Sequence, residues 1–103
     1  MLIGIEGSIL IKKMIRENLY KELIAKYGML QLVVVIEELS ELQKELCKSL
    51  RDKTNIDNII EEIADVEIML EQLKLYFKID NNKIDNIKSE KLNRTKERLL
   101  KQC

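Results

Sequence analysis

The chain has 103 residues, 18 basic against 18 acidic, and no histidine. That length provides one modest core, and a net charge of zero gives no overall pull toward nucleic acid or an anionic membrane. Without histidine, Ser-His and Cys-His catalysis, most zinc sites and the Glu-x-x-His iron pattern are excluded, so any chemistry falls to carboxylates, lysines, arginines and water.

No proline and only three glycines leave helices uninterrupted, and an all-α chain is expected. Residues 1–8 are apolar but hold Gly4 and Gly7, and they read either as an extended arm or as a frayed start. Met14 is an alternative initiator. A first helix is predicted over 9–27, ended by Gly28 as a left-handed residue. A second covers 29–50; its apolar run from Met29 to Ile36 is too short to span a bilayer, and no membrane partner is expected. The Thr54-Asn55 cap signal opens a third helix over 55–77, and Asp80-Asn81-Asn82 breaks the chain before a fourth over 82–100. Together these form a single domain over 1–103. The start has no basic leader, and Cys47 and Cys103 match neither a disulfide framework nor a metal knuckle. A reduced, cytoplasmic protein is expected.

Leu32, Val35, Leu39, Leu42, Leu46 and Leu50 recur at helical spacing on the second helix, as do Ile56, Ile59, Ile63, Val66, Leu70 and Phe77 on the third. Both stripes are expected to face a helical bundle whose thin core is completed by oligomerisation.

Against these stripes stand two acidic pairs: Glu38 with Glu41, and Glu62 with Asp65. Glu38 and Glu41 lie about 100° and 160° from Leu39, and the second pair holds the same offsets from Ile63. Antiparallel packing of the two helices would bring four carboxylates to one level. Between Thr54 and Leu73 the chain carries Asp57, Glu61, Glu62, Asp65, Glu67 and Glu71 and no basic residue. A solvated face commonly mixes signs, because like charges four apart cost about 0.2–0.5 kcal/mol per pair. On the second helix Lys44 and Lys48 can pair with Glu41 and Glu45. Salt bridges from Glu62 and Asp65 to another helix are the competing explanation. Oxygen donors without imidazole suit Mg²⁺ or Mn²⁺, and Mg²⁺ is commonly shared with substrate phosphates.

The fourth helix has the opposite sign, with eight basic residues against four acidic ones from Lys78 to Lys101. Lys91, Arg94 and Arg98 fall roughly in line with Ile84 and Ile87. The segment reads either as a phosphate-holding end or as a solubilising helix. Basic and aromatic residues are not interleaved, so no nucleic acid polymer is expected as a partner.

Glu38-x-x-Glu41 followed by Glu62-x-x-Asp65 on consecutive helices resembles the all-α nucleoside triphosphate pyrophosphohydrolases, the MazG-like group. Gln31 and the framing Glu37-Glu38-Leu39-Ser40-Glu41-Leu42 and Glu61-Glu62-Ile63-Ala64-Asp65-Val66 extend the likeness, which spans roughly Ile15 to Arg98. The resemblance implies a four-helix bundle of that type, assembled as a homodimer or dimer of dimers. It implies hydrolysis of the α–β phosphoanhydride of an NTP or dNTP, to a monophosphate and pyrophosphate, with Mg²⁺ (Mn²⁺ as a substitute). Glu38, Glu41, Glu62 and Asp65 would be the metal ligands, with Glu41 or Glu38 accepting the proton of the attacking water. Lys91 and Arg94 match a phosphate-contacting Lys-x-x-Arg segment, but Ser89 departs from the Asn often found there in relatives. The alternatives are a non-catalytic helical interaction module and a degenerate member that binds nucleotides without cleaving them.

Overall fold

The computed structural model describes residues 5–102. These form four helices and, among the described residues, no strand: α1 (Ile5–Tyr27), α2 (Leu30–Arg51), α3 (Ile56–Tyr76) and α4 (Asn81–Lys101). Helix α1 begins four residues before the expected start, so of the expected arm only residues 1–4 lie outside the described residues, as does Cys103. None of the helices is long and apolar enough to cross a membrane.

The breaks follow from local chemistry. Gly28 has φ +53° and donates to the Ile24 carbonyl at 2.8 Å, closing α1 as a left-handed glycine does. Asn55 caps α3 by accepting from the Asn58 backbone N–H at 3.1 Å, and Asp80 caps α4 by accepting from Asn82 N–H at 2.9 Å. At the end of α3, Lys78 takes φ +53° without being glycine, while the Ile79 N–H donates back to the Lys74 carbonyl at 2.9 Å.

The principal contact joins α2 to α3, with α1 laid across both. The register is antiparallel: Gln31 near the start of α2 donates to Gln72 near the end of α3 at 2.6 Å, and Glu38 meets Asp65 further along. Tyr20 of α1 is 5% exposed, and with Val35, Val66 and Met69 it makes up the buried apolar core among the described residues. Helix α4 buries no residue.

Within the single chain only part of each apolar stripe faces inward. Val35 and Val66 are buried, and Leu32, Leu42 and Ile59 are half-buried, but Leu39, Leu46, Leu50, Ile56, Ile63, Leu70 and Phe77 are exposed. The contact line on α2 runs through Gln31, Val35, Glu38, Leu42 and Glu45, about 80° from the Leu39–Leu46–Leu50 line. Polar and acidic residues therefore share the seam between the two helices, and much of the leucine and isoleucine faces solvent. On α4, Ile87 is exposed and Ile84 half-buried.

Candidate functional site

Glu38 comes from the third turn of α2, and Glu62 and Asp65 from adjacent turns of α3. At i, i+3 the last two share one flank of their helix, and the antiparallel register brings Glu38 across to them. One carboxylate oxygen from each of the three lies within 4.8 Å of the others. Glu38 and Glu62 are half-buried and Asp65 is exposed, so the cluster has an inner wall and an open mouth.

The electrostatics follow from that packing. Glu38 titrates above the ordinary glutamate value, first because burial penalises its charged form, then because Asp65, Glu62 and Glu41 repel it. Glu62 is raised for the same leading reason, reinforced by Asp65, Glu41, Glu45 and Glu61. Glu62 Oε2 is shielded from solvent and has no hydrogen-bond partner. An acceptor turned away from water without a partner is unfavourable, and a cation would satisfy it.

These residues fit a hard cation. The donors are carboxylate oxygens alone, they come from two rigid helices, and the exposed side leaves room for water or phosphate oxygens. Glu38, Glu62 and Asp65 would hold the ion. Glu41, the fourth expected ligand, is exposed and stands outside the triad, where it contributes negative potential to both glutamates.

Lys91 and Arg94 are exposed on α4. The Lys91 carbonyl accepts from Thr95 Oγ1 at 3.0 Å, and the charges that act on Glu38 and Glu62 are neighbouring carboxylates. The expected basic end is thus not gathered with the acidic cluster within one chain.

Three residues near the site carry more than their sequence suggests. Glu45 is buried beside the cluster and pairs with Lys48 at 3.4 Å. Its position, seven residues after Glu38 and so on the same flank of α2, was the available signal. Gln31 and Gln72 close the seam on the other side of the site, and Gln72 Nε2 also points to Met69 Sδ at 3.7 Å. No family model, curated protein or solved structure matches the chain.

Proposed function

We propose that the protein is a Mg²⁺-dependent nucleoside triphosphate pyrophosphohydrolase of the MazG-like kind, cleaving the α–β phosphoanhydride of an NTP or dNTP. The observation that carries the reading is the meeting of Glu38, Glu62 and Asp65 across the α2–α3 seam, with Glu62 Oε2 left without a partner. Folding has concentrated like charge in a partly desolvated place, which is costly unless positive charge arrives.

When bound, Mg²⁺ supplies charge neutralisation for phosphate oxygens and acidifies a coordinated water. The chain's own residues have separate parts. Glu62, on the inner wall, gains from a compensating positive charge, because burial and the neighbouring carboxylates disfavour its anionic form. Asp65 and Glu38 would hold the ion from opposite sides of the seam. Glu41, exposed and in the same negative field, is suited to take a proton from water at the mouth. Lys91 and Arg94 are proposed as phosphate contacts, which requires α4 of another copy or a movement of α4 toward the cluster.

The test is release of pyrophosphate and monophosphate from a panel of NTPs and dNTPs with Mg²⁺. We expect turnover of at least one, and Glu62→Gln or Asp65→Asn should lower it by about 100-fold or more, the upper range for loss of a group supporting a metal site. No turnover on the whole panel, together with no thermal stabilisation by Mg²⁺, would overturn the reading. The extensive exposed apolar surface favours a second reading, a non-catalytic interaction module. That reading requires Glu38→Gln and Asp65→Asn to leave partner binding intact and Mg²⁺ to leave the melting temperature unchanged.

A further inference from the structure

We infer that the cleft between α1 and the α3–α4 corner is a second binding site, and that its ligand is a phosphate monoester carrying a small apolar group. The cleft has a volume of about 640 Å³, within the roughly 300–1,000 Å³ of small-molecule sites. Helix α1 lines it with Ile9, Lys12, Lys13, Arg16, Glu17 and Tyr20, a set at helical spacing that covers an arc of about 140°. The opposite wall is Glu71, Lys74 and Leu75 of α3, continued by Ile79 in the corner. An amphipathic helix ordinarily turns its apolar residues toward its neighbours. On α1 the arc that faces α3 carries the charge, while Leu10, Met14, Ile15 and Leu19 lie outside it and are exposed.

The chemistry of the walls selects the ligand. Lys12, Lys13, Arg16 and Lys74 line the cleft against Glu17, Glu71 and Asp85. Among the described residues none of the four cations forms an ion pair, although Lys12 and Arg16, four apart, repel each other. Tyr20, the buried member of the α1 arc, forms the floor. Its hydroxyl titrates above the ordinary tyrosine value, first because of burial, then because Glu71 holds its proton, while Arg16 acts the other way. Glu71 is thus engaged by the tyrosine, and Arg16 stands close by with its guanidinium uncommitted. A phosphate monoester carries a charge of about −1.5 to −2 at pH 7, which matches that group of cations, and a guanidinium forks onto its oxygens with two parallel hydrogen bonds. A carboxylate brings a single charge and would leave more of the cations uncompensated. Ile9, Leu75 and Ile79 give the apolar group its surface. The site is separate from the carboxylate cluster: Glu71, Lys74 and Leu75 lie about 9–15 Å further along α3 than Asp65, and about 80–180° round the helix from it. It requires neither a metal nor the proposed hydrolysis.

The test is calorimetric titration of the full chain in EDTA, so that no divalent cation is present, with phenyl phosphate, benzoate and inorganic phosphate as probes. Phenyl phosphate should bind once per chain, more tightly than either of the others, and more weakly as salt is raised. Arg16→Gln and Lys74→Gln should each weaken it by about tenfold, as expected for one lost hydrogen bond between charged groups. Arg16 is exposed and Lys74 half-buried, so both variants should melt close to the wild type; Lys12→Gln, at an exposed position, reads the same cleft if either fails to fold. Glu62→Gln, in the carboxylate cluster, should leave the affinity unchanged. Absence of phenyl phosphate binding at millimolar concentration overturns the inference. So does an affinity that is the same in the wild type and in the Arg16 and Lys74 variants, or one that changes with Glu62→Gln. Benzoate bound as tightly as phenyl phosphate would overturn the choice of phosphate as the ligand.

Discussion

Glu38 and Glu62 hold their protons to higher pH than the 4.5 of a free glutamate, so the folded chain binds protons that the unfolded chain has already released. Stability without metal therefore falls as pH rises above about 4.5 and levels off once both groups are ionised in the folded state. Melting curves between pH 4 and 8 should show that decline, and Glu38→Gln should flatten it and raise the melting temperature at pH 7. On the proposed function Mg²⁺ should act against the decline, because it would bind the ionised cluster and displace the protons. At a hundredfold excess over its dissociation constant it should add about 2.7 kcal/mol, on the order of 10 °C in a domain of this size. The Gln31–Gln72 pair is a second check at this scale. Gln31→Ala strips the partner from a buried amide oxygen and should cost about 1–3 kcal/mol in denaturant unfolding, while replacing both glutamines by leucine should be nearly neutral.

Among the elements, two residues adopt the same left-handed backbone with different side chains. Gly28 has φ +53°, and a Cβ there would meet nothing within 4 Å. Gly28→Ala should therefore cost only the conformational term, about 1–2 kcal/mol. Lys78 already bears that cost at the end of α3, so Lys78→Gly should stabilise the chain by about 1 kcal/mol, less the entropy that glycine adds to the unfolded state. Thermal melts of the two variants should move in opposite directions. The legible parts of the sequence lie at this level. Gly28, Asn55 and Asp80 signal their breaks through interactions within a few residues, which is why the helix ends could be read without knowing what the helices pack against. The i, i+3 spacing of Glu62 and Asp65 was legible for the same reason. Leu39 and Leu46 were less legible, because a periodic stripe identifies a face that seeks burial but carries no label for the surface that will cover it.

At the scale of the molecule, α2 and α3 form the packed unit, and α4 is an extended helix with no buried residue. Amide hydrogen exchange should follow that division: slowest in the middle of α2 and α3, and fastest in α4, whose hydrogen bonds open without loss of a core. Protection of α4 equal to that of α3 would show that α4 is covered in solution by something the single chain does not provide.

By itself the sequence determined an all-α chain, the four helices with their stop signals, and two acidic pairs at matching offsets. These depend on rules that act over one or two helical turns: propensity, capping and the 3.6-residue period. Tertiary structure decided which arcs of α2 and α3 meet. It set Glu38, Glu45, Glu62, Gln31 and Gln72 in the seam, left Glu41 and the leucine stripe outside, and separated Lys91 and Arg94 from the acids. The physical reason is that apolar burial has no direction of its own. Two helices touch over a narrow arc, and the choice of arc depends on every surface competing for it, including surfaces beyond the chain.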